Sequence, residues 1–171
     1  MFANQIALLE AIAKSIPLGY TLVVKEHPGG RGSRPAWQYR HLLSFPNVMF
    51  CDARSIDIAR QCETVITITG TIGMEAMAID RPVIIFGDCY YDYSELLYKT
   101  KSFAELPQLF RRILIDGEYL QRTDRLNLIR KTLLSFLLGI VPGAQTPENA
   151  AIWATEILKD VKKEQVTHEP F

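Results

Sequence analysis

The sequence has no excess of charge: 19 Lys and Arg balance 19 Asp and Glu over 171 residues. No long-range field therefore favours nucleic acid as a partner. Basic residues run together only at Arg111-Arg112 and Lys162-Lys163, which read as solvated helix faces. Cysteine is scarce. Cys51, Cys62 and Cys89 form no CxxC pair and no ligand spacing, and an odd number without a secretory signal points to small buried thiols kept reduced in the cytoplasm. The amino terminus lacks a basic stretch followed by an apolar run, so no signal peptide is expected. The longest apolar stretch, Leu133 to Val141, is interrupted by Ser135 and Gly139. It falls far below the ~18 residues of a membrane span, so a soluble protein is expected, one that can still touch the inner membrane peripherally. P-loop, GxGxxG, GxSxG and metal-ligand patterns are all missing, and no cofactor is expected.

What is present is ordinary globular composition, 48% apolar and 22% charged, enough to fill a core. One domain over 1–163 is expected, with a disordered tail over 164–171. Ala3 to Ser15 has helical apolar spacing. Tyr20 to Lys25 reads as a buried strand, and residues 27–35 hold three glycines and two prolines, so they must be a loop. A helix over Ala36–Phe45, a strand over Val48–Cys51 and a helix over Ile56–Gln61 capped by Ser55 follow. Thr64–Thr69 (TVITIT) is the strongest strand signal; it runs through Gly70-Thr71 into a helix to about Ile79, then a strand over Pro82–Phe86. Apolar strands alternating with helices predict an α/β fold, a Rossmann-like parallel sheet covered on both faces. Beyond Gly87 lies an aromatic and acidic stretch, Asp88 to Glu95, and from Ser102 a helical part to about Lys163. Pro142-Gly143 splits its last two helices, and Thr146-Pro147-Glu148 starts the final one.

Ligands of such sheets sit beyond the carboxyl ends of the strands. Two polar segments fall there: Lys25-Glu26-His27-Pro28 after the first strand, and Thr69-Gly70-Thr71 after the third. Gly70 permits a tight turn. The hydroxyl of Thr71 and the amides of Thr71, Ile72 and Gly73 suit an anion at a helix start, the plainer alternative being an N-cap and turn. Glu75 suits a ribose hydroxyl or a capping box equally. Pro28 stiffens the backbone at His27, whose ring can donate to a phosphate or protonate a leaving oxygen. Lys25 either neutralises a phosphate or merely buries its stem at a strand edge. Arg31 and Arg34 read as solvated loop residues, and Tyr90, Tyr91 and Tyr93 either line the cleft, stacking on a base or sugar, or pack ordinarily.

The pieces TLVVKEHPGGRG, PNVMFCDARS and TVITITGTIGMEAMAIDRPVIIFG, with the tyrosines that follow, resemble the carboxy-terminal half of the capsule polysaccharide biosynthesis family. These are bacterial glycosyltransferases of GT-B fold, and the likeness spans about Gln5 to Tyr98. The family looks like transferases that use CMP-activated acidic sugars, including sialyltransferases and Kdo transferases, in which a His-Pro motif and a hydroxyl-bearing turn hold the nucleotide phosphate. The resemblance puts His27 with Pro28 in the first role and Thr69 to Thr71 in the second. It matches Glu75 to the acidic residue of the GTxGxEA segment.

It further implies CMP as the nucleotide, a nucleotide-activated sugar such as CMP-Kdo as donor, and a glycan or glycolipid as acceptor. The amino-terminal domain of the GT-B fold, with the catalytic base and acceptor site, is then expected as a separate chain or as a part missing from this one. A UDP-sugar transferase or 2-epimerase-like domain is the alternative of the same fold. A truncated, non-catalytic module, binding a partner protein through its helical part, is the alternative of a different class.

Overall fold

Asn4 starts the first helix: its Oδ1 accepts from the amides of Ile6 and Ala7, both at 3.1 Å, relieving two of the donors that a helix start leaves unpaired. The computed structural model describes residues 4–30 and 32–135. Within it α1 (Gln5–Ser15) is followed by β1 (Leu22–Val24), α2 (Ala36–Leu43), β2 (Val48–Phe50) and α3 (Ser55–Gln61). Then come β3 (Val65–Thr67), α4 (Ile72–Ala78), β4 (Val83–Ile85) and β5 (Leu97–Lys99). Helices α5 (Leu106–Phe110), α6 (Glu118–Gln121) and α7 (Arg125–Ser135) complete the described part. The described residues up to Arg125 belong to one compact unit, and α7 beyond that residue belongs to a second.

All strand pairs are parallel: β1 with β2, β3 with β4, and β4 with β5. The architecture is Rossmann-like, with parallel sheets flanked by helices. The ladder is not continuous, however. β1 and β2 make one sheet and β3, β4 and β5 another, and no ladder joins β1 to β3 among the described residues. Each sheet has its own core. Ile6 and Ala13 of α1 pack with Val24, Leu42 and Val48. Leu8 and Ile12, on the next turn's neighbouring face, pack with Ile84, Phe86, Leu106 and Phe110. One amphipathic helix thus serves both.

Strand β4 lies at the centre of its sheet, with Val83, Ile84 and Ile85 fully buried, as an apolar run flanked by strands on both sides must be. The short β5 departs from expectation. Leu-Tyr-Lys carries no apolar run, and only its register against β4 (Val83 with Leu97, Ile85 with Lys99) makes it a strand. Ser55 is not a cap: the helix begins at Ser55 itself, with Arg54 in the capping position and no side-chain cap bond. Ser102 does cap a short 3-10 turn, its Oγ accepting from the amide of Ala104 at 3.2 Å. The stretch beyond is helical in pieces, because Gly117 adopts a left-handed φ of 65° between them. The expected start of the first helix at Ala3, the residue Arg31, the break at Pro142-Gly143, the start at Thr146-Pro147-Glu148, the helices to Lys163 and the tail over 164–171 lie outside the described residues.

Truncating Ile84 to Ala removes a fully buried side chain from the central strand, and urea unfolding should show a loss of about 2–5 kcal/mol with an unchanged slope. A loss below about 1 kcal/mol would contradict the placement of β4 at the heart of this core.

Candidate functional site

Parallel strands place all their carboxyl ends on one edge, and the two polar segments leave the sheets at that edge. Lys25 follows β1 directly, its stem three-quarters or more buried (16% exposed) and its ammonium 3.2 Å from Asp52, which follows β2. The next residue, Glu26, accepts from Arg34 Nε at 2.9 Å and from the Tyr39 hydroxyl at 2.8 Å. Arg34 also donates to Gln5 of α1. It is therefore pinned, not the solvated loop residue that its glycine-rich neighbourhood suggested.

His27 opens the loop. The amide of Gly29 donates to its Nδ1 at 3.1 Å, and Pro28–Gly30 form a 3-10 turn closed by the amide of Gly30 on the His27 carbonyl at 2.8 Å. A ring whose Nδ1 accepts carries the proton of its neutral form on Nε2. The exposed imidazole thus keeps Nε2–H as its outward donor.

On the other side, β3 ends at Thr67, whose Oγ1 accepts from the amide of Gly70 at 2.9 Å. A Cβ at position 70 would sit 2.8 Å from that oxygen, so the turn needs glycine for closeness of approach. Helix α4 then begins at Ile72. Thr71 occupies its N-cap position but is already helical and makes no capping bond. Glu75 stands at the fourth helical position, one beyond where a capping box would reach, and no hydrogen bond to its carboxylate is formed among the described residues. The first amides of α4 are partly used: Gly73 donates to Gly70 O at 3.2 Å, and Met74 and Glu75 donate to Thr71 O. Those of Thr71 and Ile72 stand outside these turn bonds.

Lys25, His27, Pro28, Thr69, Gly70, Thr71 and Glu75 all line one cleft of about 1310 Å³ between the two sheets. Its floor is apolar, including Leu22, Ile66 and Phe86, and its rim is polar. Gly73 does not line it. That residue is buried under Tyr91, whose hydroxyl and ring atoms occupy the space a Cβ would need.

Of the two readings of the tyrosines, cleft lining and ordinary packing, the second holds here, since no residue from Asp88 to Tyr93 lines this cleft. Lys99, between Asp88 at 2.9 Å and Asp92 at 2.7 Å, draws the segment toward the end of β5. The fully buried Tyr91 reaches back to donate to Gly70 O. Burial, with Cys89 nearby, pushes the ionisation of that phenol up, so it remains a donor. Tyr91 therefore props the Gly70 turn from behind and offers no face to a base. Its role had no signal in the sequence, because it depends on the loop folding back. Tyr90 meets it edge-on, with ring centroids 5.1 Å apart. Away from the cleft, His41 pairs with Glu10 at 3.2 Å. Among the described residues no three His, Cys, Asp or Glu side chains gather as metal ligands would. No helix among them is long and apolar enough to cross a membrane.

Residues 3–107, which contain both segments and the turn that Tyr91 supports, match the family described as capsule polysaccharide biosynthesis protein. The chain belongs to that family. A relative is Protein FixF of Sinorhizobium fredii (strain NBRC 101917 / NGR234), 30% identical over 89 residues, which are 49% of this chain and 20% of FixF. The chain thus spans about a fifth of the length of the curated relative it matches. No solved structure matches it. The family match ends at residue 107, near the start of α5, so the strands that shape the cleft are within it.

Replacing Gly73 by Ala should destabilise the fold, because the new Cβ overlaps the Tyr91 hydroxyl. Adding Tyr91→Phe should restore part of that loss, giving a coupling of about 0.5–3 kcal/mol in a thermal-unfolding double-mutant cycle. Strict additivity would contradict the interlock.

Proposed function

We propose that this domain binds the nucleotide of an activated sugar and serves as the donor-binding half of a capsule polysaccharide glycosyltransferase of GT-B type. The observation that carries the reading is the convergence of the His27 and Thr69–Thr71 segments on one accessible cleft at the carboxyl edge of the strands. Strand-end crevices are where α/β sheets of this kind take ligands. His27 offers Nε2–H to a phosphate oxygen, and Thr71 offers a hydroxyl that capping does not consume. Lys25 supplies positive charge close by, tempered by Asp52. Glu75 is placed to accept from a ribose hydroxyl.

In this reading the donor is CMP-activated, with an acidic sugar such as Kdo, following the family resemblance. Catalysis rests on stabilising the phosphate as it departs, by donors fixed before the reaction begins. Water exclusion and the acceptor, a glycan or glycolipid, belong to the amino-terminal domain of the GT-B fold. The nucleotide sugar is a substrate in this reading. The work would be done in the cytoplasm, at the inner face of the membrane.

Isothermal titration of the chain with CMP should show binding that His27→Ala and Thr71→Ala each weaken about tenfold or more, as loss of a charge-assisted hydrogen bond of about 1.5–3 kcal/mol implies. Undiminished binding in both variants would overturn the site, and a clear preference for UDP over CMP would overturn the choice of donor.

A further inference from the structure

We infer that Glu26 is the positioning residue of the His27 loop, its one carboxylate joining both ends of the loop so that the imidazole is held in a single presentation. The loop runs from His27 to Ser33 and holds three glycines, a composition that resists order unless something fixes its ends. Glu26 precedes it and Arg34 follows it, and the two meet through Arg34 Nε and Glu26 Oε1 at 2.9 Å. The second oxygen is used as well, by the Tyr39 hydroxyl at 2.8 Å.

These contacts reach three further elements. Arg34 donates onward to Gln5 of α1. Tyr39 lies on α2, and its ring packs against Phe50 of β2 with centroids 5.5 Å apart. The glycine-rich loop is therefore anchored to both helices and to the strand pair that carries it. Glu26 is half-buried or better (18% exposed) and Arg34 is 30% exposed, so the pair is shielded enough to matter more than a fully solvated one. The bond from Glu26 also holds the Tyr39 phenol in its protonated, donating form by pushing its ionisation up.

Two consequences follow for chemistry. With Arg34 committed to Glu26, its guanidinium is not the group that meets a ligand anion. Among the described residues of the loop, recognition falls to His27. And with the loop closed, the Gly29 amide stays within 3.1 Å of His27 Nδ1, which keeps the ring proton on Nε2. Glu26 thus acts on the ligand only through His27.

The role of Glu26 rests on the reading of His27 as a ligand-facing donor, but its test does not require a nucleotide. Long-range 1H–15N spectra of the full chain, with the His27 ring assigned by His27→Gln, should show the Nε2–H tautomer. In Glu26→Ala the same ring should show averaged tautomers, while the His41 signals stay fixed as an internal control. Glu26→Asp should recover part of the wild-type pattern. Should Glu26→Ala fail to fold, Glu26→Gln keeps the shape, removes the ion pair, and should show the same averaging. CMP affinity should fall about tenfold or more alongside, as loss of an outer support typically causes.

A folded Glu26→Ala or Glu26→Gln variant with an unchanged His27 tautomer would overturn the role. Tautomer averaging in the variants, with no CMP binding by the parent chain, would uphold the role of Glu26 and overturn the proposed nucleotide instead.

Discussion

Helix α1 is the constraint on which the rest of the unit depends, because both hydrophobic cores are built against it. Ile6 and Ala13 close the core of the β1–β2 sheet, and Leu8 and Ile12 close that of the β3–β5 sheet. The two sheets share no ladder, so packing on a common helix fixes their separation. That separation is the cleft. Secondary ties reinforce it: Asn47 donates to Ala13 O at 2.8 Å, and the Tyr20 hydroxyl donates to Leu114 O at 2.9 Å. Close packing of buried side chains transmits such geometry faithfully, and the polar rim inherits it.

The two sides of the rim are held by different means. On the β1 side the support is electrostatic, a carboxylate shared between Arg34 and Tyr39 around a glycine-rich loop. On the β3 side it is steric, with the buried Tyr91 under Gly70 and Gly73. On the β3 side Thr71 faces the cleft without a capping bond. The cations nearby, Lys25 and Arg34, are already engaged by carboxylates. In the proposed reading the domain leans on neutral donors in fixed positions more than on free positive charge, a form of preorganisation that suits a group whose charge changes during reaction.

Much of the fold is legible in the residues. Tyr20 to Lys25, Thr64 to Thr69 and Pro82 to Phe86 are apolar runs between turn residues, and each contains an observed strand, trimmed at its ends. The carboxyl-edge position of His27 and of Gly70-Thr71 follows from that order alone. What could not be read depends on partners distant in sequence. β5 is a strand because β4 lies beside it, and nothing in Leu97-Tyr98-Lys99 demands extension. Tyr91 was indistinguishable from Tyr90 and Tyr93 until the loop was seen to turn back, burying one phenol fully and leaving the others 40% and 48% exposed. Glu26 went unremarked between Lys25 and His27, although its partners Arg34 and Tyr39 lie only 8 and 13 residues away. A glycine-rich loop hides such a closure, since its composition suggests mobility.

Two segments some forty residues apart in sequence line one cleft, which we propose takes a nucleotide. Mapping amide shifts of the isotopically labelled chain during addition of CMP tests it most directly. The account predicts that the amides of His27, Gly29, Gly30 and Thr69 to Ile72 move together, with one affinity, while those of α6 stay still. Shifts confined to one segment, or centred on the far side of the β3–β5 sheet, would contradict it.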